Sequence, residues 1–276
     1  MKSIQIEYNH KFEDECRRIS EVGFKYITIS FCNMDDYSDR TFLQAQKEID
    51  EILSRYDLRA VQSHLYYYDL LISSEKQDED KERQIKRGIE LSGKLGIPWC
   101  VWHPRAHSSG GYSKELSFKD NFKQVCKYLE YAYKYNTGIA LENLMSWPGY
   151  HMYGSEYEEL AELYDSFNDQ KIGICWDFGH ANLMDFSQED ALRYLGKRIK
   201  CTHIHNNFKN YDLHLLPDSG IIEWEKLMPI VTEIGYNGPL TLETHYHYSD
   251  EEMIQEFYLH NFKCLEFLER LKNNEY

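Results

Sequence analysis

Eight short apolar runs, each separated from the next by a charged segment of helical spacing, restrict the folds of this chain more than any other feature. The runs are rich in β-branched and aromatic residues and lie at 3–8, 24–31, 58–65, 99–103, 138–144, 172–180, 199–207 and 238–245. Alternating strands and helices predict a parallel sheet, because parallel strands need a crossover connection. Eight such units favour an α/β fold of the (β/α)8 TIM-barrel type, with a doubly wound open sheet as the alternative.

The length of 276 residues suits one barrel, and no linker or low-complexity run divides the chain. We therefore predict a single TIM-barrel domain over residues 1–276. One helical segment has apolar residues at a spacing of three or four: Phe118, Phe122, Val125, Leu129 and Ala132. We expect these five side chains to form the buried face of that helix.

The net charge of −15 and the lack of a long apolar run exclude several classes of protein. No run is long enough to span a membrane, and the first residues lack the apolar core of a secretory signal. The seven cysteines include no CxxC pair, which predicts reduced and mostly buried thiols. These features favour a cytoplasmic protein, and the acidic balance disfavours binding to nucleic acid or anionic membranes.

Polar side chains that can bind metals recur at the predicted carboxyl ends of six strands. They lie 28 to 39 residues apart, about one strand–helix unit each: His64, His103, Glu142, Asp177, His205 and Glu243. TIM barrels build their active sites at this end of the barrel. Buried carboxylates require a counter-charge, and a cation among Glu142, Asp177 and Glu243 would supply it. The pattern predicts a divalent metal site, with unrelated acids at a solvated barrel mouth as the alternative.

Three carboxylates and one imidazole suit Mn²⁺, Mg²⁺, Co²⁺ or Zn²⁺, and further histidines favour the transition metals. His203 and His205 lie on one face of their predicted strand, because side chains two apart point to the same side. We favour His205 as the ligand because it is closer to the strand end, and we expect His203 to contact a neighbour or the substrate. The Asp177-x-x-His180 spacing lets Asp177 bind metal while His180 reaches substrate or a second ion.

The chain resembles the xylose-isomerase-like TIM-barrel superfamily in four ordered motifs: LEN at 141–143, DFGH at 177–180, HIHNN at 203–207 and LET at 242–244. This superfamily includes sugar phosphate isomerases and epimerases, ketose 3-epimerases, inosose dehydratases and endonuclease IV of AP endonuclease family 2. The resemblance covers nearly the whole chain. Similarity to the epimerases implies a four-ligand divalent metal site of Glu142, Asp177, His205 and Glu243. It also implies that Glu142 and Glu243 are the two catalytic acid/base carboxylates.

The resemblance implies a metal-dependent sugar isomerase or epimerase that transfers a proton next to a carbonyl through an enediolate. Return of the proton to another carbon gives isomerisation, and return to the opposite face gives epimerisation. The expected substrate-binding residues are His64, His103, Arg105, His180 and His203. The aromatic candidates for an apolar wall of a sugar site are Tyr66, Tyr67, Tyr68, Trp102, Trp147, Trp176 and Tyr246.

The same superfamily implies two alternative reactions. An endonuclease IV-like zinc phosphodiesterase would bind three ions with a larger ligand set, which adds His64, His103, His180, Asp212 and His214. An inosose-dehydratase-like lyase would form the same enolate and expel a hydroxyl group. The charge of −15 and the lack of a Lys/Arg stripe favour a small carbohydrate or cyclitol over DNA. A non-catalytic carbohydrate-binding protein is a further alternative, which the two potential proton carriers disfavour.

Two departures from the superfamily pattern concern the substrate. After DLH at 212–214 many relatives have a PGxG-like turn, whereas this chain has LLPDSG with Asp218 at the first glycine-like position. Arg105 and Lys209 follow strand ends, but no phosphate-binding loop is present. A nonphosphorylated sugar or cyclitol is therefore at least as well supported as a sugar phosphate. The FLERL segment at 267–271 could pack against another subunit, which leaves a homo-oligomer open.

Overall fold

The computed structural model describes residues 1–32, 39–67, 75–107 and 111–275, without the side chains of 39–42 and 75–78. Strands and helices alternate along these ranges in the order β1 (Lys2–Glu7), α1 (Phe12–Glu21), β2 (Tyr26–Ser30), α2 (Asp39–Arg55), β3 (Arg59–His64), α3 (Glu75–Lys94), β4 (Trp99–Trp102), α4 (Lys114–Tyr135), β5 (Gly138–Glu142), α5 (Tyr157–Asp165), β6 (Ile172–Asp177), α6 (Phe178–Asn182), α7 (Gln188–Leu195), β7 (Ile199–His203), α8 (Trp224–Glu233), β8 (Leu240–Leu242) and α9 (Glu251–Lys272). A short 3₁₀ turn, Gly196–Arg198, joins α7 to β7.

The strands form one parallel sheet in the order β7-β6-β5-β4-β3-β2-β1-β8. A bridge between Ile204 and Leu242 connects the two ends of this sheet. The Ile204 amide donates to the Thr241 carbonyl over 2.8 Å, and the Glu243 amide donates back to the Ile204 carbonyl over 3.0 Å. The sheet therefore closes on itself, which confirms the predicted (β/α)8 TIM barrel. The doubly wound open sheet is wrong.

Each of the eight predicted strands is present, and each ends earlier than predicted. The clearest difference is the run 172–180, where β6 stops at Asp177 and α6 follows at once. The Asp177 carboxylate accepts a hydrogen bond from the His180 amide over 2.7 Å and so caps the first turn of α6. The residues beyond the strands form loops at the carboxyl end of the barrel, where the polar side chains meet.

Apolar packing lies in two places, between the barrel and its helices and inside the barrel. The larger cluster lies around the strands and includes Phe12 and Ile27. The smaller one is a layer of short side chains from β4 to β7: Val101, Ala140, Cys175 and Cys201. Residues two positions further along a strand point to the same side. The layer above this one, toward the carboxyl ends, therefore contains His103, Glu142, Asp177 and His203.

The buried face of α4 differs in part from the predicted one. Val125 and Ala132 are buried as predicted, whereas Phe122 is 36% exposed, and Asn121 and Tyr128 are buried in addition. Asn121 faces inward because its amide group bonds the backbone of the loop after β4, accepting over 2.8 Å and donating over 2.7 Å. The hydrogen bonds of Asn121 turn its side of α4 toward the barrel. The pattern of apolar residues therefore did not by itself predict which face of the helix is buried.

Among the described residues, no helix has both the length and the apolar composition that a membrane span requires. Five of the seven cysteines are buried, which confirms the predicted burial of most of these thiols. Cys126 is exposed on α4, and Cys32 is half-buried after β2. Cys32 is the cysteine that reaches the cavity at the carboxyl ends of the strands.

Candidate functional site

A cavity of about 310 Å³ opens at the carboxyl ends of the barrel strands. Part of its lining is aromatic or aliphatic and comes mainly from the loop after β5: Tyr67, Leu144, Met145, Trp147, Tyr150 and Met152. The rest carries mainly acids and imidazoles: Glu7, His64, His103, Glu142, His180, Asp212, His214, Glu243 and His245. An apolar surface with a few converging polar groups is typical of a small-molecule site.

The most buried part of the site is centred on the His203 ring. Its Nδ1 lies 2.9 Å from Glu142 Oε1, 3.0 Å from Glu243 Oε2 and 3.8 Å from Asp177 Oδ2. The strand register explains this position, because Asp177 of β6 pairs directly with His203 of β7. Within the described part of the chain, His203 is the one imidazole with a nitrogen within 4 Å of both glutamates.

The other ring nitrogen of His203 faces Gln62, a fully buried residue of β3. Gln62 Nε2 lies 2.7 Å from His203 Nε2, and Gln62 Oε1 has no hydrogen-bond partner among the described residues. In this orientation the amide donates to Nε2, and Nδ1 carries the proton between the glutamates. A half-turn of the amide would present its oxygen to Nε2–H and leave a lone pair on Nδ1 for a cation.

A second group of possible metal ligands surrounds the other carboxylate oxygen of Glu142, Oε2. His103 Nε2 is 3.0 Å and His64 Nε2 is 3.3 Å from Glu142 Oε2, and these three side chains could hold an ion together. Glu142 Oε2 accepts no hydrogen bond from the residues described. Behind His64, the Cys32 thiol lies 3.3 Å from Nδ1 of the same ring. Glu142 therefore has two oxygens that face two separate sets of imidazoles.

A third group combines His180, His205, Asp212 and His214. His205 Nε2 lies 3.1 Å from Asp177 and 3.7 Å from Asp212 Oδ1. His180 Nε2 and His214 Nε2 lie 3.4 and 3.1 Å from Asp212 Oδ2. Two buried atoms here, His205 Nδ1 and Asp212 Oδ1, have no hydrogen-bond partner within the described ranges. His205 therefore belongs to this group and not to the pair of glutamates.

The charges of the site are set by contacts between acids and imidazoles. Burial alone would raise the pKa of the Glu142 carboxyl, but His203 and His103 hold this pKa well below its usual value. Burial and His203 act on the pKa of Glu243 in the same opposing way, and it is also well below its usual value. Burial opposes protonation of His214, yet its contacts with Asp212 and Glu243 raise its pKa to about 9. The two glutamates are therefore ionised near neutral pH.

The donor set fits divalent cations. Glu142 and Asp177 are fully buried and Glu243 is 8% exposed, so their negative charges need compensation inside the protein. Carboxylate oxygens and imidazole nitrogens are the ligands of Zn²⁺, Mn²⁺ and Co²⁺ in proteins. The structure brings together all the metal ligands predicted from the sequence, and adds His203 at their centre: His64, His103, Glu142, Asp177, His180, His205, Asp212, His214 and Glu243.

Several other predicted contacts lie elsewhere. Arg105 lies in the loop after β4, is buried and does not line the cavity. Trp147 and Tyr67 line the cavity, and Tyr68 lies outside the described residues. The remaining aromatic candidates pack against the core or within it and do not line the cavity: Tyr66, Trp102, Trp176 and Tyr246. The cavity therefore has fewer aromatic walls than the sequence suggested.

Two positioning residues were not recognised in the sequence. Asn143 accepts a hydrogen bond from the Asp177 amide over 2.7 Å and donates to the Asp177 carbonyl over 2.9 Å, which fixes the end of β6. Gln62 holds the His203 ring, as described above. Their positions carried a signal, because Gln62 lies two residues before His64 on the same strand face and Asn143 directly follows Glu142.

The model of the family described as Xylose isomerase-like TIM barrel matches residues 16–258. The chain belongs to this family. The match includes all the donor residues of the site, from His64 to Glu243.

Curated proteins that are similar in sequence to this chain have different names. The chain is 30% identical over 164 residues to the uncharacterized protein y4fM of Sinorhizobium fredii, with 58% of this chain and 51% of that protein aligned. It is 28% identical over 171 residues to the probable endonuclease 4 of Mesomycoplasma hyopneumoniae, with 57% and 60% aligned. Against the D-psicose 3-epimerase of Enterocloster bolteae it is 26% identical over 105 residues, with 38% and 33% aligned. The chain thus spans between a third and two thirds of these relatives.

Solved structures match the barrel along its whole length. A D-tagatose 3-epimerase-like protein superposes with a TM-score of 0.81 at 23% identity, covering 100% of this chain and 99% of that one. The D-psicose 3-epimerase of Clostridium cellulolyticum H10, solved with D-tagatose, superposes with a TM-score of 0.77 at 15% identity, covering 99% of both chains. At these identities the likeness establishes a common fold.

Proposed function

We propose that this protein is a divalent-metal-dependent isomerase or epimerase of an uncharged sugar or inosose. The observation that carries the proposal is the convergence of Glu142 and Glu243 on one imidazole nitrogen, at 2.9 and 3.0 Å. Both glutamates also line the cavity, so each can reach a bound carbon–hydrogen group. Two carboxylates at one centre allow a proton to leave from one position and to return at another. The epimerases among the structures of this fold support the same reaction class.

In this reaction the two ionised glutamates are the bases. One glutamate takes the proton from the carbon next to the carbonyl. Either the acid so formed returns this proton, or the opposite glutamate, after taking a proton from solvent, delivers that one while the first proton is later released to solvent. Return on the opposite face gives the epimer, and return to the neighbouring carbon gives the isomer. His103 and His180 line the cavity beside Glu142 and hold substrate hydroxyls by hydrogen bonds.

The same centre provides the ligands for a metal. We propose His203, together with Glu142, Asp177 and Glu243, as the imidazole ligand in place of His205. His203 Nδ1 is within 4 Å of all three carboxylates, whereas His205 lies against Asp177 and Asp212. A divalent cation held there would act as a Lewis acid for the negative charge that develops on the carbonyl oxygen.

The lining of the cavity favours an uncharged substrate. None of the described residues that line it is Lys or Arg. Acids line it instead: Glu7, Glu142, Asp212 and Glu243. A phosphate ester would bring about −1.5 to −2 charges into this acidic surface. The exposed Trp147 and the neighbouring Tyr150 offer apolar faces to a sugar ring.

A metal-dependent phosphodiesterase is the second candidate. The observation that favours it is the presence of three adjoining donor groups, which could hold three cations. Three cations would activate water and stabilise the transition state of phosphodiester cleavage. The probable endonuclease 4 relatives support this alternative. The acidic cavity and the net charge of −15 oppose it, because DNA-binding surfaces are basic.

Proton exchange with solvent tests the leading proposal. The protein loaded with Mn²⁺ or Co²⁺ is incubated in D₂O with a panel of ketoses, aldoses and inososes, and deuterium at the carbon next to the carbonyl is measured. We expect incorporation, and we expect Glu142→Gln and Glu243→Gln each to lower it by about 100-fold or more. Glu7→Gln is the control, because Glu7 also lines the cavity but is neither a proposed base nor a proposed metal ligand. Product that has lost water would indicate a lyase.

The second candidate is tested on duplex DNA with one abasic site. Incision by the zinc-loaded protein, lost on Asp212→Asn, would favour the phosphodiesterase. No deuterium incorporation with any sugar, together with such incision, would refute the isomerase or epimerase proposal. Incorporation without incision would support it.

A further inference from the structure

A second set of metal-binding side chains lies outside the cavity, where the connection between β7 and α8 touches α9. It consists of Asp218 from the connection and His260 and Cys264 from α9. None of the three lines the cavity, and none is a member of the three donor groups described above. Asp218 is also the residue at which this chain departs from the PGxG-like turn.

The geometry of this set is compact. His260 and Cys264 are four residues apart on α9, so both side chains lie on one helix face, one turn from each other. His260 Nε2 lies 2.7 Å from Asp218 Oδ2. A carboxylate oxygen, the imidazole nitrogen and the Cys264 sulfur all lie within 4.8 Å of one another. Each side chain can therefore offer one atom to a common centre.

The chemistry of the three atoms selects a class of ion. A thiolate, an imidazole and a carboxylate together suit Zn²⁺ or Co²⁺, whereas Mg²⁺ and Ca²⁺ prefer oxygen ligands alone. Zinc sites are usually four-coordinate. Glu256 lies one turn before His260 on the same helix, and both line a shallow groove beside Leu216. Glu256 or water would supply the fourth ligand.

We propose that Asp218, His260 and Cys264 form a surface site for Zn²⁺, separate from the cavity. An ion there fastens the β7–α8 connection to α9. The same connection carries Asp212 and His214, whose side chains line the cavity. The site therefore stabilises the loop that places these two donors. This inference does not depend on the reaction proposed above.

Cobalt absorption tests the site on the full, metal-stripped chain. Co²⁺ bound to a thiolate gives a charge-transfer band in the near ultraviolet, so Co²⁺ alone is the probe. We expect the band in the unaltered protein and its loss in Cys264→Ser. Cys126→Ser is the matched control, because Cys126 is exposed on α4 and is not one of the three proposed ligands. It should keep the band.

Three further variants separate this site from the cavity. Cys32 lies near His64, and Cys175 lies near His203, so either thiolate could also give a cobalt band. If the band comes from Cys264, both Cys32→Ser and Cys175→Ser should retain it. Because Cys264 is buried, its replacement could impair folding. His260→Asn removes another ligand of the site at an exposed side chain, where folding should not be affected. It should bind one cobalt ion fewer per chain than the unaltered protein, with an unchanged circular dichroism spectrum. The proposal is overturned by the absence of a band in the unaltered protein, by its survival in Cys264→Ser, or by an unchanged ion count in His260→Asn.

Discussion

Replacing Gln62 by methionine should weaken metal binding at the cavity without unfolding the barrel. Gln62 is fully buried, and its amide nitrogen lies 2.7 Å from His203 Nε2. A ligating histidine usually shares its second nitrogen with a hydrogen-bond partner, which fixes the ring and increases its basicity. Methionine has nearly the same size as glutamine but lacks the amide oxygen that a half-turned Gln62 would present to Nε2–H when Nδ1 binds a cation. His203 would remain as the proposed metal ligand, but its ring would no longer be held in position by Gln62.

The substitution should change two measurable quantities, the affinity for the metal and the stability of the metal-free protein. Loss of an outer partner of a metal ligand costs about 10- to 100-fold in affinity, or about 1.4 to 2.8 kcal/mol. The metal-free protein should lose about 1 to 3 kcal/mol of stability, because the buried His203 Nε2 is left without its Gln62 partner. The substitution also removes Gln62 Oε1, which is buried without a partner in the described part of the chain, and this offsets part of the lost hydrogen bond.

Titration calorimetry with Mn²⁺ measures the affinity, and urea unfolding of the metal-free protein measures stability. Mn²⁺ is chosen because it binds thiolates poorly and so reports on the cavity. Gln255→Met is the matched control, since Gln255 also loses one amide hydrogen bond, to the Arg18 carbonyl, but lies on α9. Unchanged Mn²⁺ affinity in Gln62→Met would refute the role of Gln62. If His203→Ala also bound Mn²⁺ normally, His203 would not be the ligand.

Three other substitutions test the scaffold of the site. Asn143→Ala should destabilise the protein by about 1 to 3 kcal/mol in urea unfolding and weaken Mn²⁺ binding, because the Asp177 backbone loses two partners; normal Mn²⁺ affinity would contradict this. Gly179→Ala would place a methyl group against Cε1 of the His205 ring, so we expect the protein to lose about 1 to 3 kcal/mol of stability; an unchanged melting temperature would show that His205 moves freely. Asn121→Ala should destabilise the protein by a similar amount with unchanged Mn²⁺ affinity, since its hydrogen-bond partners among the described residues are the loop after β4 and its own helix; weaker binding would indicate that this loop positions the donors.

The barrel could be predicted because its signal is repeated eight times along the chain. Errors in single strand ends do not change the number of strand–helix units, so the topology does not depend on them. The ends themselves were not predictable from apolar runs, because a side chain decides where β6 stops. Asp177 caps α6 through its carboxylate, although the residues that follow it are apolar enough for a strand. The inner face of α4 was not predicted for a similar reason, because the buried Asn121 turns inward to bond the backbone of the loop after β4.

The candidate site could be predicted as a set but not as individual positions. The spacing of polar residues by one strand–helix unit assembled the donors at one end of the barrel. It did not give their depth, because His203 and His205 point to the same side of their strand and differ only in height. The depth follows from the register between neighbouring strands, where Asp177 pairs with His203. A register is fixed by closure of the whole barrel, so no local motif contains it.

The number of bound cations links the two candidate reactions to the charge of their substrates. Four carboxylates meet at the site, those of Glu142, Asp177, Asp212 and Glu243. When all are ionised and the imidazoles are neutral ligands, one divalent ion leaves two negative charges, whereas three leave two positive charges. The first state repels a phosphodiester and accepts a neutral sugar, and the second attracts an anion. Ion counts for the cavity should be made in His260→Asn, so that the proposed surface ion does not contribute. Sugar turnover at one ion per chain would then be consistent with the acidic lining, whereas a requirement for three would favour phosphodiester cleavage.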